Sequence, residues 1–557
     1  MQTALLTFVR FQTALRSALT LNHDERRIRF NDLVLAEGKK QMLSCYTDRL
    51  SVYPGERVTL FASASNGPST LIVARVGRER RETFRREKLV IGDQPVPEHA
   101  DRDGCAWPAT CEFEIGVDWP SGYYDIVLID AVGEETHHFV CVKPNKAGPR
   151  AKTAFVLSTN TYHSYNYWGG ASAYADVVSL MTGRKELSQA MAGAIGVLSA
   201  RRPFAQMLIA PPPDIPRLVN LRKRGFKEPP FASDITWPRL SEVSPYDGSA
   251  GFLHKWEHAF AVWAENENLT LDYFTDYDLD AEPDILDIYD VVVLVGHSEY
   301  WSARQRDCIE NFVDRGGKLA IFSGNTAFWK VRWENDGATY VCHKWRGFEA
   351  DALAKTTPSE GTHLWSHRAF VRPEAAITGL SFLFGGYHRL GLCAARGQAG
   401  YTLYNDRHWA LAGSDLFYGD VIGGDIPFLG YENDGCRFQF GADGLPKPVP
   451  ELGVPGNLEI IAVAPCTLGE DAASGYQPLI PPENLGIIAR DVFEAPGEAT
   501  EQRILRGHAV MASFRRGKGE VFNGGTTEWA HALKGGDPFI TQITRNVLQR
   551  FGAYQSN

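Results

Sequence analysis

The sequence predicts an α/β core, with a parallel sheet covered by helices on both faces, preceded by an all-β sandwich domain. Residues 40–145 alternate polar and apolar side chains between Gly and Pro turns, which is typical of antiparallel strands. From Lys152 onward, short apolar runs alternate with segments of helical spacing, which is typical of a parallel sheet. The 557 residues are enough for about two or three domains.

Composition and charge exclude several classes of function. The chain has 57 Lys and Arg against 67 Asp and Glu, a net charge of −10. It therefore lacks the basic surface expected of a protein that binds nucleic acid, and the polybasic patch of a membrane-surface protein. Its nine cysteines are scattered without a CxxC pair, which fits a reducing compartment and argues against a zinc–thiolate site. No apolar run of about 18 residues occurs, so we expect a cytoplasmic protein.

Three regions follow one another along the chain. Residues 1–38 are predicted to form an amphipathic helical segment. A signal peptide is the alternative, although Arg10 and Arg16 interrupt the apolar run that it would need. Residues 39–148 are predicted as an immunoglobulin-like β-sandwich, because their length suits that architecture, although they lack its Cys-Trp-Cys spacing. Residues 149–557 are predicted as the α/β domain, with β-rich insertions at about 335–520.

The elements of the predicted core can be read in order. Strands are expected at AFVLS, LTLDYFT, DVVVLVG, GKLAIFS and GKGEVFN, since each is a short apolar or β-branched run near Gly or polar residues. A helix is expected within GFLHKWEHAFAVWAENE, where aromatic residues recur three or four positions apart. A second helix is expected from Ala303 to Gly316, and a closing helix within DPFITQITRNVLQRF.

The most informative segment is VVVLVGHSEYWS, residues 291–302. Its apolar run reads as a buried parallel strand, and ligands bind at the carboxyl ends of such strands. Glu299 is therefore a candidate metal ligand or general base, with His297 as its supporting partner. The alternative is that Glu299 caps the next helix and His297 is a buried structural donor. Ser302 is well placed as the cap, which removes that explanation for Glu299.

Aromatic residues crowd a second strand-end loop, STNTYHSYNYWGGASAY. It contains Tyr162, Tyr165, Tyr167 and Trp168 within seven residues. Such clusters often serve packing or interfaces. Phenols gathered beside a carboxylate can also become phenolate ligands, and hard anionic oxygens suit ferric iron better than zinc.

Two further loops carry weaker signals. Tyr246, in EVSPYDGSAGF, reads as a turn aromatic from the residues alone. Glu432 and Asp434, in FLGYENDGCRF, are suited to proton transfer. They equally suit an Asx-type turn before Gly435, and the residues alone favour the turn. GHSEY begins like the GxSxG nucleophile elbow, but Tyr300 replaces the final Gly, so that motif is absent.

Taken together, these segments resemble a known family. SYNxxGG, SPY, GHxEYWS, GxExDGC and GxGEVFNxGTTxW, with a preceding sandwich module, are similar to the large subunit of N,N-dimethylformamidase. The resemblance covers most of residues 40–550, and GHSEYWS and GEVFNGGTTEW are its most specific parts. It implies a glutamine-amidotransferase-like α/β core and hydrolysis of N,N-dimethylformamide to formate and dimethylamine. We expect no counterpart here of the lectin-like domain that larger members carry.

The resemblance also implies a site. A mononuclear iron, expected as Fe(III), would be held by Glu299 and two tyrosines, which fall on Tyr165 (with Tyr167 or Tyr162 as alternatives) and Tyr246. Glu432 would be the acid–base residue and His297 its neighbour. A small apolar pocket for the N-alkyl groups is expected from Asn166, Tyr167, Trp168 and Trp301.

The resemblance further implies an oligomer that pairs with a separate small helical subunit. Two alternatives stay open: a related metallo-amidase acting on a different small amide, and a non-catalytic binding or assembly module with an amidotransferase-like core.

Overall fold

The computed structural model describes residues 43–148, 151–174, 194–210, 250–253, 256–388, 400–424, 426, 428–430, 432–469 and 484–554. The predicted helical segment 1–38 and Tyr246 lie outside these residues. The strands are β1 Leu43–Thr47, β2 Ser51–Val52, β3 Arg57–Ala64, β4 Ser69–Val76, β5 Arg80–Leu89, β6 Cys111–Glu114, β7 Gly122–Ile129, β8 Glu135–Val142, β9 Thr153–Leu157, β10 Val197–Ser199, β11 Leu271–Thr275, β12 Val291–Gly296, β13 Tyr300–Ser302, β14 Lys318–Ser323, β15 Trp329–Glu334, β16 Thr339–Val341, β17 Ser381–Tyr387, β18 Tyr401–Leu403, β19 Val421–Ile422, β20 Glu432–Gly435, β21 Phe438–Phe440, β22 Pro446–Pro448, β23 Glu459–Thr467, β24 Arg506–Arg516 and β25 Gly519–Asn523. The helices are α1 Ala100–Asp103, α2 Thr159–Tyr165, α3 Gln206–Ile209, α4 Glu257–Asn266, α5 Asp276–Ala281, α6 Ala303–Arg315, α7 Gly347–Ala350, α8 Ala352–Thr356, α9 Ala375–Thr378, α10 Leu485–Asp491, α11 Glu498–Leu505, α12 Trp529–Gly535 and α13 Pro538–Phe551.

The first hundred described residues form two β-sheets. One has the order β1-β3-β6 and the other β2-β8-β7-β4-β5. All their pairings are antiparallel except β2 with β8. Apolar side chains of both sheets meet in one core, with Leu60 of β3 and Ile126 of β7 among them. The predicted antiparallel strands are therefore present, while the immunoglobulin-like assignment stays a prediction.

The large sheet of the second region is mixed rather than parallel throughout. Its strand order is β11-β9-β12-β14-β25-β24-β23-β17-β20, with β18 and β19 attached at β23. The first five strands pair in parallel, as predicted. From β25 onward the pairings are antiparallel. Strands predicted as separate insertions thus extend the central sheet, because hairpin-like returns add antiparallel strands to an existing edge.

Helices cover both faces of this sheet. Val293 of β12 and Phe260 of α4 belong to one apolar cluster. Leu294 of β12 and Phe312 of α6 belong to the other. This split follows from the two-residue period of a strand, which sends successive side chains to opposite faces. In the described part of the chain, no helix combines the length and apolar character needed to cross a membrane.

Helix α6, which follows β13, begins as predicted. The Ser302 side chain accepts a hydrogen bond from the Gln305 backbone N–H, and the Gln305 side chain accepts one from the Ser302 N–H. This capping box satisfies the free donors of the first turn. Glu299 is therefore not needed as a cap for this helix.

Candidate active site

Three buried ionisable side chains meet at the carboxyl end of the parallel strands. The Nε2 atom of His297 lies 3.1 Å from Oε2 of Glu299 and 2.6 Å from Oε2 of Glu432. All three residues are almost fully buried, and their ligand atoms lie within 4.8 Å of one another. Burying two carboxylates beside one imidazole is costly unless a positive charge compensates them. The cluster therefore suits a proton or a metal cation.

The local backbone brings these groups together. Gly296 ends β12 with φ of 79°, and a Cβ at this position would lie 2.6 Å from the Trp256 side chain, so only glycine fits this turn without strain. The turn places His297 and Glu299 on the following loop. Glu432 arrives from β20, where its backbone carbonyl accepts a hydrogen bond from the N–H of Thr527 at 3.1 Å. Loops after β12 and β25 thus converge with β20.

The electrostatics separate the two carboxylates. Burial works against ionisation of Glu299, but the neighbouring His297 outweighs it and lowers the pKa of Glu299. Burial raises the pKa of Glu432, and the charge of Glu299 adds to that rise, although His297 opposes it. Burial alone would lower the pKa of His297, but Glu432 and Glu299 raise it to about 10. Paired groups with pKa values pushed apart are suited to different roles: Glu299 as an anion and Glu432 as a proton carrier.

Phenol groups surround the Glu299 carboxylate. The hydroxyl of Tyr165 lies 3.4 Å from Oε2 of Glu299. The hydroxyl of Tyr174 donates to the same carboxylate, with distances of 3.1 Å to Oε1 and 3.0 Å to Oε2, and it also contacts the hydroxyl of Tyr300. Sequence reasoning missed Tyr174 and Tyr300 as site residues. Tyr174 ends the aromatic loop in which Tyr165 was singled out, and that clustering was the available signal.

The other predicted aromatic residues have different surroundings. Tyr162, one alternative to Tyr165, contacts the carboxylate of Glu257. Tyr167 and Trp168 are buried in the same apolar cluster as Tyr165, and Trp168 packs edge-on against Trp107 of the first region. Trp301 belongs to the cluster on the opposite face of the sheet.

Asn166 has its side chain committed to the loop. Its Oδ1 accepts from the backbone N–H groups of Trp168 and Ala205, both at 3.1 Å, and its Nδ2 donates to the Pro203 carbonyl at 2.9 Å. These bonds shape the loop that carries Tyr165. The substrate contacts predicted for Asn166, Tyr167, Trp168 and Trp301 stay predictions.

A second group of potential metal ligands is less suited to a cation. His363, His367 and Asp491 are buried and close to one another. The Nδ1 atoms of both histidines accept backbone N–H groups, which places the proton of each neutral ring on Nε2. Arg490 already binds both oxygens of Asp491, at 2.7 Å each. Each Nε2 atom therefore carries a proton in place of a free lone pair, and Arg490 already neutralises the Asp491 carboxylate. A metal ion would need both groups free.

Comparisons with known proteins identify the family of the chain. A family model described as N,N-dimethylformamidase beta subunit-like, C-terminal, matches residues 71–544, which is most of the chain. This match confirms the resemblance drawn from the motifs. No curated protein matches the chain. Among solved structures, murine CRIg is similar at 11% identity and a TM-score of 0.12, over 18% of this chain and 96% of that one. So low a TM-score carries no argument about this fold.

Proposed function

Because this chain belongs to the N,N-dimethylformamidase beta subunit-like family, we propose that it is an iron-dependent amidohydrolase. Its proposed reaction is cleavage of the C–N bond of a small N-substituted amide, N,N-dimethylformamide, to formate and dimethylamine. The observation that carries the proposal is the contact of one imidazole nitrogen, in His297, with the carboxylates of both Glu299 and Glu432. A non-catalytic module would have little use for two such carboxylates buried together.

The residues around Glu299 fit a ferric ion. The phenol oxygens of Tyr165 and Tyr174 both lie within 3.4 Å of the Glu299 carboxylate. Hard anionic oxygens of this kind favour Fe(III) over softer divalent metals. We propose Glu299 and Tyr165 as ligands and add Tyr174 as a candidate for the second tyrosine. Tyr246 remains the candidate that the family resemblance implies. When bound, iron would polarise the amide carbonyl and lower the pKa of a water molecule.

Glu432 is proposed to handle the protons of the reaction. Hydrolysis requires that a water molecule lose a proton as its oxygen attacks the carbonyl carbon. The amine nitrogen must then gain a proton as the C–N bond breaks. A carboxyl with a raised pKa can do both in turn, since it accepts and then returns the same proton. Burial raises the pKa of Glu432 in this way, while its position beside His297 keeps the carboxylate oriented.

His297 is proposed to orient the two carboxylates and to hydrogen-bond developing negative charge. Its Nε2 atom can donate toward either Oε2, and a donor fixed in a buried site stabilises an oxyanion more strongly than one in water. Its backbone is held as well, because the Thr161 hydroxyl donates to the His297 carbonyl at 2.7 Å. The apolar pocket for the N-methyl groups is proposed to include Tyr167 and Trp168, which lie in the same apolar cluster as Tyr165.

The proposal is tested by measuring formate released from N,N-dimethylformamide and from a panel of other small amides by the iron-loaded chain. Formate release that requires Glu432 would support it. Activity on another amide alone would favour the related metallo-amidase, and no hydrolysis with no bound metal would favour the non-catalytic module. Assays with and without added small helical subunits, and sizing of the assembly, test the proposed oligomer and partner.

A further inference from the structure

Lys344 occupies an unusual position beside the proposed site. It begins a short 3-10 turn, Lys344–Arg346, shortly after β16. Its φ is 52°, in the left-handed region that residues other than glycine rarely adopt, and it is only 8% exposed. Lysines are seldom this buried unless their charge is used. Backbone strain combined with a buried charge is characteristic of functional sites.

The Lys344 ammonium lies over an aromatic cage. Its Nζ atom is 2.9 Å from the centroid of the Tyr174 ring, 5.2 Å from that of Tyr300 and 5.4 Å from that of Trp329. A cation over a ring face is attracted by the ring quadrupole, more strongly when both are removed from water. The Tyr174 hydroxyl donates to both oxygens of Glu299. The Lys344 ammonium therefore contacts the Tyr174 ring, and the hydroxyl of that ring in turn contacts the Glu299 carboxylate.

The contact brings positive charge close to a site that contains two carboxylates. Glu299 and Glu432 bring two carboxylates into a buried space, and His297 lies between them. Lys344 is a second source of positive charge, because its ammonium lies over the ring of Tyr174, whose hydroxyl donates to Glu299. An anionic ligand set is stabilised and tuned by such neighbouring groups.

We propose that Lys344 is a positioning residue: its ammonium fixes the Tyr174 ring against Glu299 and lends positive charge to an anionic ligand set. The positioning half involves only side chains of this chain, whereas the charge half rests on the proposed iron site.

The positioning half is tested on the metal-free full chain by nitration with tetranitromethane, read by mass spectrometry of the Tyr174 peptide. Tyr418, which is 56% exposed, serves as the internal standard. Lys344→Met is expected to raise the nitration of Tyr174 by about twofold to thirtyfold, the factor that corresponds to losing a partly or fully desolvated cation–π contact. Lys344→Arg keeps a cation over the ring and is expected to restore the wild-type level.

Lys330 provides a matched control. It is also a buried lysine over an aromatic ring, 4.4 Å from the centroid of Phe370, but it does not contact Tyr174. Lys330→Met is expected to leave Tyr174 nitration unchanged. Equal nitration in wild type and Lys344→Met would overturn the positioning role. If Lys344→Met does not fold, the Lys344→Arg variant tests the positioning role. Tyr174 nitration above the wild-type level in that variant would overturn the role, because it would show that a cation alone does not hold the ring.

The charge half is tested on the iron-loaded chain by its reduction potential. Loss of the Lys344 charge in Lys344→Met is expected to lower the potential, since a positive neighbour disfavours Fe(III) relative to Fe(II), and Lys344→Arg is expected to return it. An unchanged potential would overturn this half. A wild-type chain that binds no iron would instead refute the proposed function, and the nitration result would still decide whether Lys344 positions Tyr174.

Discussion

Replacing Glu432 by glutamine should separate proton transfer from metal binding. The change keeps the volume of the side chain and its place beside His297, whose Nε2 lies 2.6 Å from Oε2 of Glu432. It removes the charge and the ability to carry a proton. Glu299, which lies 3.1 Å from the same nitrogen, keeps its carboxylate. We therefore expect the Glu432→Gln variant to retain iron and to lose turnover.

The size of the effect follows from the role. A positioned general acid or base contributes about 10²- to 10⁴-fold to a rate, which corresponds to about 3–5 kcal/mol of activation free energy. The loss should lie in kcat rather than KM, because Glu432 acts on the water and on the leaving amine. It should not follow from unfolding, since Gln relieves the cost of a buried carboxyl whose pKa is raised by burial.

The assay is formate release under saturating amide, with iron content measured on the same samples. Glu374→Gln is the matched control, because Glu374 is a similarly buried carboxyl, bonded by Ser366 and Ser381 and outside the cluster. This control should keep wild-type iron content and a rate within a few-fold of wild type. An unchanged rate in Glu432→Gln would refute the acid–base role. Loss of iron in that variant would instead make Glu432 a ligand.

Three further predictions concern ligands and stability. Glu299→Ala should lose iron and activity together, so iron retained at full occupancy by elemental analysis would remove Glu299 from the ligand set. Tyr174→Phe should weaken iron binding about tenfold or more if Tyr174 is the second phenol ligand, and unchanged affinity in a chelator competition would return that role to Tyr246. Burial raises the pKa of Glu257 from 4.5 to about 7 in the folded chain, so its stabilising contribution is complete below pH 4.5 and is lost as pH rises through 7. The unfolding free energy of the wild type should therefore fall by about 3 kcal/mol between these pH values because of Glu257, and Glu257→Gln should not show this fall. An equal fall for variant and wild type in urea denaturation would contradict this.

The sequence predicted the central strands well because each is a short apolar run that ends at a polar loop. Val291–Gly296 lies on β12 as expected, and Ser302 caps α6 through its own side chain. Local chemistry is sufficient for such elements, since a strand buried on both faces needs apolar residues throughout. Strand β5, Arg80–Leu89, was not identified, because this charged edge strand has no apolar alternation to find.

The candidate site was only partly predictable for a related reason. His297 and Glu299 follow one strand, so their proximity is local. Glu432 lies more than a hundred residues later, and its approach depends on the antiparallel extension of the sheet through β17 and β20. Tyr174 lies after α2, and its hydroxyl bonds to Glu299 across a separation of 125 residues. Such long-range placement depends on tertiary packing, which single-sequence patterns do not contain.

The central claim is that Glu299 and neighbouring phenols hold iron, and metal content tests it most directly. Purified full-length chain would be washed with chelator, reloaded with a mixture of divalent and ferric ions, and measured by plasma mass spectrometry. We predict about one iron per chain, with little zinc, because the donors are hard anionic oxygens. Zinc in place of iron would contradict the phenolate ligand set, and no bound metal would contradict the metallohydrolase and favour a non-catalytic module.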